Sequence, residues 1–252
     1  MADFDSYVIC TSPRSGSTLL CKLLAATGIC GNPKSYFYDL SVAEWLDELE
    51  LEDQGGSERE TLEYIFRTVI AKGTLDTGIF GLRQQRRSFD FFLEKSAILY
   101  PDAKSDREIF EMAFGRTRFI YLTRLDKVEQ AVSITIAEKT GLWHKAPDGT
   151  EIEREEPTDK PGYDGETIRR HYETFLDYDR KWKNWFQAEK IEPISLTYEA
   201  LSADPIATLR HVLKQLGLDP DAADSVTPGV AKLADETNRQ WAARFRQQYN
   251  IS

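Results

Sequence analysis

Residues 13–18 read PRSGST, which puts one guanidinium, three hydroxyls and a glycine in six positions. A tight turn of small residues exposes backbone amides. With hydroxyls and a cation around them, such amides suit one chemistry, the holding of an oxyanion such as phosphate or sulfate. Set against the phosphate-loop pattern GxxxxGK[ST], TSPRSGST aligns over residues 11–18. Gly16 and Thr18 match, Thr11 replaces the first glycine, and Ser17 replaces the lysine. That lysine normally reaches the terminal phosphates of a nucleoside triphosphate beside a magnesium ion. Arg14 supplies the cation here, and Ser15, Ser17 and Thr18 supply hydroxyls. A less highly charged donor with one transferable group is better served than a triphosphate.

Two further groups of residues bear on the same chemistry. Arg124 closes the apolar run RFIYLT, and Ser133 follows it on a helical pattern. Ligands of open α/β sheets bind outside the carboxyl ends of the strands. Arg14 and Arg124 would both stand on that edge, a layout that suits a ligand with two separated anionic groups. The C-terminal stretch carries Lys232, Arg239, Arg244 and Arg246 on a pattern that places Trp241 and Phe245 on one helical face.

The elements that must position these groups can be read from periodicity. Short apolar runs at residues 7–10, 78–82, 118–124 and 192–198 are expected as strands. Helical patterns at 58–71, 89–99, 107–114, 127–139, 166–189 and 205–216 separate them, with Gly28 stopping the helix that follows the loop. Asp204 is an expected N-cap, with Pro205 in the first helical position. Strands alternating with helices predict an α/β fold: a mainly parallel central sheet flanked by helices, in one domain over residues 1–252. A long polar stretch at 141–164 is expected as a loop or lid.

The chain has 252 residues, 42 acidic against 32 basic, for a net charge of -10. That balance argues against general nucleic-acid binding. No secretory signal or long apolar span is visible, and three cysteines without CxxC spacing read as reduced thiols of a cytoplasmic protein. No His, Asp and Glu cluster has metal-ligand spacing, so no metal is expected.

In order along the chain, PRSGSTLL, GNPKSYF, GIFGLR, TRLDKVEQAVS, TGLW, EPISLTYE and LADETNRQWAARFR resemble the bacterial Stf0-type family of sulfotransferases. Its members use 3'-phosphoadenosine-5'-phosphosulfate (PAPS), and its known member sulfates trehalose. The resemblance implies a P-loop-like sulfotransferase fold and roles for particular residues. Arg14, Ser15, Gly16, Ser17 and Thr18 would surround the 5'-phosphosulfate. Arg124 and Ser133 would grip the 3'-phosphate, the tail from Lys232 through Arg239 would close over the nucleotide, and Arg83 could face the transferring group. Ser35, Tyr36, Phe37 and Trp143 would contribute to the acceptor wall.

One departure stands out. The family's general base is a glutamate in the stretch that here reads GNPKSYF, and its position is held by Ser35. A serine hydroxyl cannot take a proton at neutral pH without a base of its own. Asp39, His144 and His171 are the alternative bases, histidine having the better intrinsic pKa. The expected activity is sulfuryl transfer from PAPS to a hydroxyl or amino group of a small-molecule, carbohydrate or lipid-linked acceptor, releasing adenosine 3',5'-bisphosphate. A nucleotide-binding protein without turnover is the alternative prompted by Ser35. An atypical P-loop kinase would need a lysine at position 17 and an acidic metal ligand ending a strand. Whether the chain pairs as a homodimer is left open.

Overall fold

Each of the six residues of β1 (Ser6–Thr11) is buried, and its side chains alternate between two cores. Val8 and Cys10 face an aromatic core with Phe66, Phe92 and Phe110. Tyr7 and Ile9 face an aliphatic one with Leu20, Leu24 and Leu209. A strand covered on both faces reads as continuously apolar, which is why this one was legible. The computed structural model describes residues 3–145, 151–154, 162–227 and 236–251, with the backbone alone at 144, 145 and 151–154.

After β1 the chain forms α1 (Ser17–Ala26), α2 (Val42–Glu48), α3 (Glu58–Thr74) and β2 (Phe80–Gln85). Next come α4 (Arg86–Leu99), α5 (Asp106–Phe114), β3 (Thr117–Thr123) and α6 (Lys127–Thr140). A hairpin of β4 (Leu142–Lys145) and β5 (Glu151–Arg154) precedes α7 (Gly165–Ala188). The remainder is β6 (Ile194–Thr197), α8 (Tyr198–Ala203), α9 (Pro205–Gln215), a 3-10 turn at Pro220–Ser225, and α10 (Glu236–Tyr249).

The central sheet is wholly parallel, in the order β2-β1-β3-β6. From β1 the chain moves to one side to form β2, then crosses to the other side to form β3. The connections therefore diverge between β1 and β3, and crevices for ligands open at such a switch point. The loop after β1 and Arg124 after β3 lie on its two sides. A third cluster, with Val132, Phe175, Trp241 and Phe245, fastens α6, α7 and α10 together.

Two expectations need correction. The strand expected at 78–82 runs from Phe80 to Gln85. Its polar end, with Gln84 and Gln85 buried, gave no apolar signal, so Arg83 lies inside the strand instead of following it. The stretch at 141–164 is also not all loop, since the β4–β5 hairpin occupies part of it. Residues 146–150 and 155–161 lie outside the described residues.

Candidate functional site

The loop between β1 and α1 is shaped by two left-handed residues, Arg14 (φ 62°) and Gly16 (φ 83°). At Gly16 a Cβ would lie 2.7 Å from the Tyr198 ring, so both backbone angle and space require glycine. Underneath, the buried Thr11 hydroxyl meets Ser15 Oγ at 2.6 Å and donates to the Leu122 carbonyl at 2.8 Å. Gln130 of α6 donates to Ser12 Oγ (3.0 Å) and to the Pro13 carbonyl (2.6 Å). Trp182 of α7 donates its indole N–H to the Thr11 carbonyl at 3.0 Å. The loop is thus held from β3, α6 and α7 at once.

The helix starts differ in one respect that bears on function. Side chains cap α2, α3, α5, α6, α7, α8 and α9. Helices α1 and α4, which follow the neighbouring strands β1 and β2, have neither a side-chain cap nor an acidic residue in the first turn. The first amides of a helix need partners and carry its positive end. At α1 that end faces the loop that Arg14 frames.

Arg14 donates Nε–H to Ser133 Oγ at 2.9 Å and an Nη1–H to the Trp143 carbonyl at 2.8 Å. Ser133 therefore serves Arg14 in this structure, where the resemblance had paired it with Arg124. Trp143 joins the loop to the base of the β4–β5 hairpin, and its own indole N–H is buried with no partner among the described residues. His144 lies on β4 in register with Glu153.

Arg124 is 7% exposed, its guanidinium 4.5 Å from the centre of the Tyr198 ring and 3.5 Å from Glu129. Its Nε is buried with no hydrogen-bond partner among the described residues. Lys127 fixes the turn by donating to the Arg124 carbonyl (2.5 Å) while paired with Asp179 (2.7 Å). Burial pulls the Lys127 ammonium below its ordinary value, against the opposing pull of Asp179. Glu199 receives the Leu125 amide at 3.1 Å, so the turn before α6 is already occupied by a carboxylate. Sequence reasoning missed Tyr198, Gln130 and Trp182. Tyr198 touches both Gly16 and Arg124, and only its place in the TYE turn after β6 brings it there.

The opposite wall starts at Gly31, where a Cβ would sit 2.2 Å from the Gly73 carbonyl oxygen. That close approach seats the following segment against β2, where Lys34 bridges to Leu82. Arg83 then donates Nε–H to Ser35 Oγ (2.7 Å) and an Nη1–H to Thr18 Oγ1 (2.9 Å). One guanidinium thus ties Thr18, which follows the loop, to Ser35.

The other expected site residues have the following surroundings. Phe37, 1% exposed, packs on Trp45, Phe66 and Phe92 in the aromatic core, so its ring presents no face to a ligand. Tyr36 is also buried and donates its hydroxyl to the Asn32 carbonyl at 2.8 Å. The Asp39 carbonyl receives the Trp45 indole N–H at 2.9 Å, and no described contact brings the Asp39 carboxylate to Arg83, Ser35 or Thr18. His171 pairs with Glu138 at 2.9 Å between α6 and α7, away from the loop. Arg239 is exposed and pairs with Glu236 of its own helix at 2.6 Å. Lys232 lies outside the described residues. Among the described residues no three metal-ligating side chains gather, and no helix is long and apolar enough to cross a membrane.

A parallel sheet with an open, arginine-framed helix start at its switch point defines an α/β protein built to hold an anion. Residues 6–248 match the model of the Stf0 sulphotransferase family, and the chain belongs to that family. It is a sulfotransferase. The trehalose 2-sulfotransferase of Mycobacterium tuberculosis is 27% identical over 259 residues, covering 95% of this chain and 94% of that protein. The trehalose 2-sulfotransferase of Mycolicibacterium smegmatis is 28% identical over 262 residues, covering 96% and 94%. Among solved structures, a sulfotransferase from Alicyclobacillus acidocaldarius aligns with a TM-score of 0.45 at 13% identity, covering 98% of this chain and 96% of that one.

Proposed function

We propose that the sulfuryl donor is PAPS and that the acceptor is a small molecule attacked through a hydroxyl. The observation that carries this reading is the pairing of two cationic positions across one switch point. On one side is the uncapped start of α1 with Arg14. On the other is the buried Arg124, whose Nε has no partner among the described residues. A buried donor without a partner is costly unless a ligand satisfies it. PAPS carries anions at both ends of its ribose, the phosphosulfate on the 5' side and a phosphate on the 3' side. The loop would take the first and Arg124 the second.

In the transfer, the acceptor oxygen attacks sulfur in line, and the bond from sulfur to the bridging phosphate oxygen breaks. Negative charge grows on that oxygen as adenosine 3',5'-bisphosphate leaves. Arg14 and the amides at the start of α1 would stabilise it without reorganising. Arg83, anchored on Thr18, would face the transferring group. Both curated relatives are named for transfer to trehalose, which makes that disaccharide the reference acceptor. The test is incubation with PAPS labelled with sulfur-35 and a panel of acceptors. The label is expected to move to an acceptor without added magnesium. If no label moves and adenosine 3',5'-bisphosphate does not bind, the reading is wrong.

A further inference from the structure

The wall beside the loop contains a charge with no carboxylate partner among the described residues. Arg83 is partly buried, and both of its side-chain hydrogen bonds go to neutral hydroxyls, Ser35 and Thr18. No described carboxylate lies within ion-pairing distance of it, whereas Arg124 has Glu129. Cys21, which feels the Arg83 charge, lies at this corner with Tyr36 and Lys34. Burial raises the Cys21 thiol and the Tyr36 hydroxyl. Lys34 is exposed, and its carbonyl receives the Arg83 amide at 2.9 Å. Neither buried group is a base at neutral pH. A nucleophile approaching sulfur from this wall therefore meets a fixed cation and, among the described residues, no carboxylate paired with it.

From this corner we infer that the natural acceptor attacks through an acidic hydroxyl of the phenol class, bound as its oxyanion against Arg83. This rests on the donor reading above and departs from the relatives only at the acceptor. An alkyl hydroxyl keeps its proton until a base removes it during attack. A phenol has an ionisation near that of tyrosine, about 10, and a cation at contact distance lowers such a value by about 1–3 units. The proton then goes to solvent before transfer. The phenolate oxygen forms the new bond to sulfur, the bond to the bridging phosphate oxygen breaks, and its electron pair leaves with adenosine 3',5'-bisphosphate. Charge balances with no protein base.

The experiment measures kcat/KM with PAPS for 4-nitrophenol, 4-chlorophenol, phenol and trehalose as a function of pH. The phenols are expected to exceed trehalose by on the order of 10²-fold or more, the scale of the base assistance that trehalose would lack. The inflection of each profile should move with the acceptor's own acidity. In Ser35→Glu, whose carboxylate would neutralise Arg83, transfer to the phenols should fall and transfer to trehalose should rise. An inflection fixed across the phenols, or trehalose matching them, overturns the inference. Absence of transfer to every phenol while adenosine 3',5'-bisphosphate binds overturns it too and leaves the donor reading intact. Failure of the nucleotide to bind overturns both.

Discussion

The two walls of the site are built by different means. The proposed donor side rests largely on main-chain geometry, a left-handed glycine and an open helix start, held by buried hydroxyls tied to β3, α6 and α7. The proposed acceptor side is made of side chains, chiefly one arginine lying between two hydroxyls. A wall of backbone cannot be changed by one substitution without disturbing the fold. A wall of side chains can be, so the proposed acceptor side is the one free to diverge.

The sharpest break should come at Gly16→Ala. Holding alanine at φ 83° against the Tyr198 ring is expected to cost about 2–3 kcal/mol of stability. Thermal unfolding reads that loss, and titration should show donor binding gone. Gly28→Ala is the control, because its φ is 70° but nothing lies within 4 Å of the added carbon. Its cost should be smaller by the whole contribution of the clash, and equal costs would remove Tyr198 from the account.

Arg124→Ala should weaken adenosine 3',5'-bisphosphate by on the order of 1.5–3 kcal/mol, the worth of hydrogen bonds to a charged group. Calorimetric titration measures it. Adenosine 5'-phosphosulfate, without the 3'-phosphate, should hardly respond, and equal weakening of both ligands would take the 3'-phosphate away from Arg124.

Thr11→Val leaves the Ser15 hydroxyl and the Leu122 carbonyl without their buried partner and should cost about 1–2 kcal/mol in denaturant unfolding. Ser35→Ala is the smallest change. Arg83 stays partly exposed to water and keeps Thr18, so stability should fall by no more than about 1 kcal/mol. If Ser35→Ala cost as much as Thr11→Val, the contrast between the walls would fail.

The same contrast explains what the sequence made legible. The loop, its flanking strand and the arginine after β3 are local in the chain, and their types alone announce an anion site. Strand β1 reads as apolar because both of its faces are covered. The bridge from Arg83 to Ser35 joins residues 48 apart, and Tyr198 reaches Gly16 only through the order of the strands. Phe37 looked like pocket wall because it follows Ser35, yet the turn at Gly31 carries it into the core. Periodicity cannot tell which side of such a segment faces the ligand.

The most direct test of the donor wall compares two nucleotides by thermal unfolding of the unmodified protein. A ligand that binds the native state alone raises the melting temperature by mass action. Adenosine 3',5'-bisphosphate, in the presence of EDTA, should raise it in a concentration-dependent manner, and ATP with magnesium should raise it far less. Equal shifts from the two would contradict the account, because a site that serves a magnesium triphosphate as well is not one that reads the 3'-phosphate through Arg124.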